Sequence, residues 1–178
     1  MMVGYYAVFT WLPTFLKTER GLSIMSTGWY TMVVIVGSFI GYLVAADLSD
    51  RIGRKKTFFI FAAGSALIAV LYTLIPISNT AMLFLGFPLG FFVSGNFSGC
   101  GPFLTELFPS RVRGSGQGFV YNFGRGLSAF TAPIVGAMSS GMPLGQSIGI
   151  VAVIGFGVVI LTVSLFPETR GKELAVYD

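Results

Sequence analysis

Asp47-Leu48-Ser49-Asp50-Arg51-Ile52-Gly53-Arg54-Lys55-Lys56 holds six of the eighteen charged side chains of this 178-residue chain. On each side lies an apolar stretch long enough to cross a membrane, which takes about 20 residues as a helix. A segment this short is neither a soluble domain nor a flexible linker. It reads as a polar hinge between two spanning helices, with Gly53 permitting the reversal.

Composition sets the class. Hydrophobic residues make up 54% of the chain and charged residues only 10%, where a soluble domain carries about 25% charged residues. The net charge of +4 comes from basic residues confined to a few loops, so there is no basic face and no nucleic-acid partner. The expected surroundings are a lipid bilayer. Histidine is absent and Cys100 is the single cysteine, which leaves no disulfide or zinc cluster. With no base–nucleophile pair or nucleotide loop either, no enzyme activity, metal or cofactor is expected.

Two long runs carry no charge, residues 57–105 and 126–167. Each is too long for one spanning helix and about right for two. Turn residues divide them at Pro76-Ile-Ser-Asn-Thr80 and at Ser139-Ser-Gly-Met-Pro-Leu-Gly145. With the flanking segments this predicts one all-α membrane bundle of six spans, 1–16, 24–46, 57–76, 81–104, 115–139 and 146–166, followed by a tail over 167–178. The apolar runs do not alternate, which argues against a transmembrane barrel.

Sidedness follows from the loops. Arg51, Arg54, Lys55 and Lys56 lie in the second, Arg111 and Arg113 in the fourth, Arg170 and Lys172 in the tail. The other side offers Lys17 and Arg20, with Glu19 between them. This asymmetry predicts that the charged loops and both ends face the cytoplasm of a cell (inner) membrane. The first segment lacks a basic front and a small-residue cleavage site, so it is not read as a signal peptide. It holds only about 16 apolar residues and starts abruptly, which predicts further spans upstream.

The charged loops resemble those of a known family. Asp47 to Lys56 is similar to the G-x-L-a-D-R-x-G-R-[KR] loop of the major facilitator superfamily, with Ala46 where the first glycine usually falls. Glu106-Leu-Phe-Pro109-Ser-Arg111-Val-Arg113-Gly114 resembles the E-x-x-P-x-x-x-R-G loop of its sugar-porter branch, and Pro167-Glu168-Thr169-Arg170-Gly171 that branch's P-E-T-[KR]-G. The three stand in order at matching loops. The resemblance implies the C-terminal six-helix half of a twelve-helix transporter, with an N-terminal half as partner. It also implies that Asp50, Arg51, Gly53, Arg54, Glu106, Arg113, Glu168 and Arg170 form a cytoplasmic gate. The bland reading is that these charges anchor loops in headgroups and set topology. A carboxylate such as Asp50 is further expected at the start of the fifth span, where free N–H groups favour an anion by about 0.3–1 kcal/mol.

Arg125 stands apart. It lies about ten residues into the fifth span, hence about 15 Å deep at 1.5 Å per residue. A charge at that depth costs at least about 2.5–3.5 kcal/mol and should face protein or a water-filled cavity. Gln117, Tyr121, Arg125 and Ser128 share one helical stripe bordered by Asn122, which reads as a cavity wall. Two roles compete. Either Arg125 holds a substrate carboxylate by a bidentate fork, with Tyr121, Asn122 and Gln117 orienting the ligand, or it pairs with an acid, carbonyls or a helix end. Tyr121-Asn122-Phe123-Gly124-Arg125 resembles a pattern of metabolite, aromatic-acid and sialate proton symporters, which implies the first.

Softer signals remain. Gly37 and Gly41, and Gly86, Gly90, Ser94 and Ser98, recur every fourth residue and predict close helix packing. Asn96 is a further substrate-facing position or an interhelical hydrogen bond. Gly99-Cys100-Gly101-Pro102 predicts a helix bend. Tyr5, Tyr6, Thr10 and Trp11 offer polar and aromatic edges, with Trp11 read as a membrane-interface residue. The first span has no glutamine and Phe103 follows Pro102, which weakens a hexose reading. The expected function is secondary active transport of a small organic anion, with protons as co-substrate and alternating access as mechanism. The alternatives are a sugar or polyol porter of the same fold, and a non-transporting membrane receptor or scaffold.

Overall fold

A computed structural model describes residues 1–166 and 168. Among them the chain is all-helical: α1 (Met2–Thr18), α2 (Ile24–Ile52), α3 (Arg54–Thr73), α4 (Asn79–Gly95), α5 (Cys100–Leu107), α6 (Arg113–Ser128), α7 (Thr131–Met138) and α8 (Leu144–Leu165). Four helical stretches are long and apolar enough to cross a membrane, Ile24–Ile52, Arg54–Thr73, Asn79–Leu107 and Leu144–Leu165.

The charged hinge is shorter than its sequence suggests. α2 runs through Asp47, Asp50 and Arg51 to Ile52, and α3 begins at Arg54, so Gly53 alone makes the reversal. Its φ of 104° and ψ of 159° lie in a region open essentially to glycine. Helical backbone continues through the charged residues because their side chains support it: Arg51 Nε meets Asp47 at 2.8 Å, one turn away.

Two segments expected as single helices are broken, and by the same device. α4 gives way at residues 96–99 to tight three-residue turns, with Phe97 N–H donating to the Ser94 carbonyl and Cys100 N–H to that of Phe97. α5 then restarts with Pro102 at its third position. A proline ring crowds the carbonyl four residues earlier, here Ser98, which favours a kink or break there, although α1 and α4 carry Pro13 and Pro88 inside continuous helix. Within a first turn, where N–H groups lack helical partners anyway, proline is well tolerated. Pro133 stands third in α7 in the same way, after a break at Ala129 and Phe130. The bend expected at Gly99–Pro102 therefore begins three residues earlier.

Packing follows the small residues. α2 lies against α4 and α8 against α3 and α1. A β-carbon on Gly37 would stand 2.1 Å from the Phe87 carbonyl oxygen, and one on Gly90 1.9 Å from that of Val34. The α2 and α4 backbones touch, as the four-residue spacing predicts, and the Ser94 hydroxyl donates to that of Ser38 at 2.9 Å. Phe15, Phe61, Tyr72, Met82, Leu89 and Phe156 fill the interior. Trp11 is more than an interface residue: its indole N–H donates to the Ala132 carbonyl at 3.2 Å and pins α1 to α7.

Charges close the ends of the antiparallel pair α3 and α8. At one end Glu168 accepts the first N–H groups of α3, from Arg54 at 2.9 Å and Lys55 at 3.2 Å. In return, the Lys55 ammonium donates to the Ser164 and Phe166 carbonyls at the end of α8, at 2.9 and 3.0 Å. At the opposite end, Glu19 accepts the backbone N–H groups of Leu144 and Gly145, opening α8. Arg20 donates to the Ile77 and Ile75 carbonyls just beyond α3. Anions meet helix starts and cations meet helix ends, the arrangement the helix dipole favours.

Candidate functional site

Two sites emerge, a charged cluster at the Gly53 hinge and a cavity above it. Arg54 organises the first. Its side chain, only 13% exposed, reaches Asp50 at 2.5 Å and Glu106 at 3.1 Å, and donates to the Ser49 carbonyl at 2.8 Å. Glu106 is equally buried, whereas Asp50 is 75% exposed. The guanidinium thus joins the end of α2, the start of α3 and the end of α5, and planar multidentate donation suits that task. Glu168 adds α8 through its cap on α3.

Of the eight hinge positions expected to act together, the structure assembles Asp50, Gly53, Arg54, Glu106 and Glu168. Arg51 pairs with Asp47 on the exposed side of α2. Arg113 Nε donates to the carbonyls of Thr105 at 3.0 Å and Phe108 at 3.1 Å, closing the end of α5. Arg170 lies outside the described residues. Asp50 does not cap the fifth segment as expected, because continuous helix carries it on the surface of α2 beside Arg54. The capping carboxylates are Glu168 and Glu19. Glu19, Arg20 and Lys55 have end-capping roles that sequence reading assigned only to topology.

The cavity has a volume of about 540 Å³ and opens between α2, the α4–α5 break and α6. Tyr42, Phe97, Cys100, Leu104, Gln117 and Tyr121 line it, with Gly101, Gly114 and Gly118. A smaller pocket of about 260 Å³ shares Cys100, Leu104 and Tyr121 with it and continues toward Met2 and Gly124. No lining side chain of the larger cavity is charged. The Thr105 hydroxyl, bonded to the Gly101 carbonyl at 2.8 Å, also reaches Gln117 Oε1 at 3.2 Å.

Of the expected substrate positions, Gln117 and Tyr121 are on this wall. Asn122 is exposed and its amide donates to the Gly118 carbonyl of its own helix at 2.8 Å. Asn96 takes the interhelical alternative rather than the cavity one: it is 1% exposed, and its amide donates to the Ser65 hydroxyl and the Phe92 carbonyl, both at 3.0 Å. It is an α3–α4 contact, held inward by the turn at residues 96–99. Ser128 is buried too, and its hydroxyl donates to the Arg125 carbonyl at 2.7 Å.

Arg125 is exposed and lies one turn beyond Tyr121 on the same face of α6, outside the two cavities' linings. Among the described residues its guanidinium has no hydrogen bond or ion pair. The break at Ala129 puts Arg125 in the last turn of α6, where a cation is favoured by the helix dipole. Tyr42 on α2 was not singled out from sequence, since nothing in its own apolar segment distinguishes it.

Long apolar helices joined by short charged turns define a multi-pass membrane protein. The chain belongs to the Major Facilitator Superfamily, whose model matches residues 1–176. It is 37% identical over 96% of its length to a protein of Cupriavidus pinatubonensis named probable 4-methylmuconolactone transporter, covering 40% of that relative. It is 30% identical over 98% of its length to the niacin transporter NiaP of Acinetobacter baylyi, covering 39%. Against the cis,cis-muconate transport protein of the same organism it is 28% identical over 82% of the chain, covering 35%. The chain thus spans some two fifths or less of the length of these curated relatives.

Proposed function

We propose that this chain is the C-terminal half of a secondary transporter that carries small organic acids through a multi-pass bundle of six spans. In this reading the hinge end and both chain ends face the cytoplasm, and α6 turns its exposed face toward an N-terminal half. The observation that carries the proposal is the cavity wall on α6, where Gln117 and Tyr121 face a space of about 540 Å³. Volumes of about 300–1,000 Å³ suit small-molecule sites. The named activities of the relatives, a muconolactone, a muconate and niacin, support an organic-acid cargo.

Arg125, one turn beyond Tyr121, supplies the charge complement of a carboxylate that enters this wall. Proton coupling is part of the proposal; the coupling acid then belongs to the N-terminal half or to the substrate itself. Alternating access follows if the Arg54 cluster forms in one state and opens in the other. The uncharged lining favours a second reading, a neutral polyol cargo with Arg125 serving only the end of α6.

Uptake by the transporter reconstituted in proteoliposomes decides between them. Arg125→Gln is expected to abolish carboxylate uptake. Retention of full-affinity carboxylate uptake would sink the role of Arg125, and uptake of polyols alone would favour the second reading.

A further inference from the structure

We infer that an enclosed polar chamber behind the Arg54 cluster biases the hinge toward opening, because closure buries two polar atoms that find no partner. This rests on the reading that the cluster forms in one state and opens in the other, and it adds what sets the balance between them. Ser49 of α2, Arg54, Thr57 and Phe58 of α3, and Asn96 and Gly99 of the α4–α5 break line the chamber. Its packing leaves no gap as large as a water molecule.

Ser49 and Asn96 are 4% and 1% exposed, yet among the described residues Ser49 Oγ and Asn96 Oδ1 have no hydrogen-bond partner. The neighbouring hydroxyls are satisfied. Thr57 donates to the Gly53 carbonyl at 2.9 Å, and Ser65 donates to that of Phe61 at 2.6 Å while accepting from Asn96. Ser49 differs from Thr57 in this although both are helical and both are 4% exposed. The Asn96 amide is fixed in orientation, since its NH₂ serves Ser65 and the Phe92 carbonyl. Exchanging its nitrogen and oxygen would set two acceptors against each other at Phe92.

A buried polar atom without a partner loses its hydration and gains nothing in return. Arg54 ties this cost to the hinge. Its Nη1 donates to the Ser49 carbonyl at 2.8 Å while the same guanidinium reaches Asp50 and Glu106. In joining α2, α3 and α5 it therefore holds the Ser49 hydroxyl in the chamber. A β-carbon on Gly99 would stand 3.7 Å from Ser49 Oγ and 3.2 Å from the Phe58 ring, so the α4–α5 break closes the space over both. Parting these walls lets water reach Ser49 and Asn96 and removes the cost. The ion pairs draw the hinge shut and the chamber opposes them, which keeps the closure reversible.

The test is hydrogen exchange, read by mass spectrometry, on the transporter carrying this chain in lipid nanodiscs. Exchange at residues 54–61 reports how often the hinge opens. Ser49→Ala removes an unpaired hydroxyl and is expected to slow that exchange about tenfold. Ser65→Ala removes a paired one, takes an acceptor from the Asn96 amide, and is expected to speed it about fivefold. Exchange at residues 150–158 of α8 is expected to stay unchanged in both. Ser49→Cys, close in shape and with a thiol that suits an apolar site, is expected to follow Ser49→Ala.

Unchanged or faster exchange at residues 54–61 in Ser49→Ala would overturn the inference, as would equal slowing in α8 or slowing by Ser65→Ala. If Ser49→Ala does not fold, Ser49→Cys decides by the same criteria. The expected Ser49 effect without carboxylate uptake by the wild type would leave the chamber's role standing and sink the organic-acid reading. Carboxylate uptake without any Ser49 effect would do the reverse.

Discussion

Gly53 and Glu168 occupy a space with no room for a β-carbon: one added to Gly53 would overlap the Glu168 carboxylate, whose oxygens cap α3. The reversal between α2 and α3 and the docking of the residue that follows α8 are therefore one structural event. Gly53→Ala is expected to cost about 1–3 kcal/mol from its φ of 104° alone. Displacement of the Glu168 cap adds to this. Thermal unfolding in detergent checks it; an unchanged midpoint would show that the hinge relaxes without strain.

Arg54 and Asp50 form an ion pair whose partners should matter unequally. Arg54→Gln removes donation to Asp50, Glu106 and the Ser49 carbonyl at a site only 13% exposed, with an expected loss of about 3 kcal/mol or more. Asp50→Asn touches one exposed member and is expected to cost under about 1 kcal/mol. Equal unfolding midpoints for the two variants would refute this ranking.

The α2–α4 contact predicts a sharp contrast between two glycines of the same helix. At Gly37 a β-carbon meets the Phe87 carbonyl at 2.1 Å, while at Gly28 it meets nothing within 4 Å. Gly37→Ala is expected to cost about 1–3 kcal/mol by forcing the helices apart. Gly28→Ala is expected to be neutral or slightly stabilising. Chemical unfolding in micelles compares them directly.

Glu19 caps α8 through two N–H groups, those of Leu144 and Gly145. Glu19→Ala is expected to destabilise by about 0.5–2 kcal/mol, the usual worth of a helix cap. Glu19→Gln keeps an acceptor oxygen and should lose less. Hydrogen exchange at the first turn of α8 is the local readout, with faster exchange expected in the alanine variant.

Gly118 separates stability from binding. Gly118→Ala has open space for its methyl group, so it is expected to strengthen α6 by about 0.5–1 kcal/mol while narrowing the cavity. Higher thermal stability with weaker carboxylate uptake is the expected pair of results. Lower stability would mean that Gly118 is a packing residue instead.

Much of the fold was legible because its causes are local. Residues 57–105 and 126–167 carry no charge, and in a bilayer apolar runs without strand-like alternation favour helix, which pairs every backbone group within its own segment. The four-residue spacing of Gly37 with Gly41 and Gly86 with Gly90 announced close packing before any partner was visible. The two helix breaks were half legible: Pro102 and Pro133 are plain in the sequence, but the break falls upstream, where the proline ring meets a carbonyl. The candidate site was read less completely. Gln117 and Tyr121 reach the cavity, whereas Asn96, on the same polar evidence, turns inward to Ser65. A side chain's direction depends on the turn that carries it, and periodicity assumes an unbroken helix.

The sequence by itself determined the membrane class, the all-helical build, the charged reversal and the family motifs. Hydropathy and turn chemistry act over a few residues and need no distant partner. Tertiary structure alone decided that Glu168 and Lys55 cap each other's helices, that Glu19 opens α8, and that Tyr42 joins Tyr121 across a cavity. These pairs lie far apart along the chain, and which carboxylate reaches which helix end depends on how antiparallel helices stack. Charge and composition state what each residue can do, and packing selects the one partner it finds.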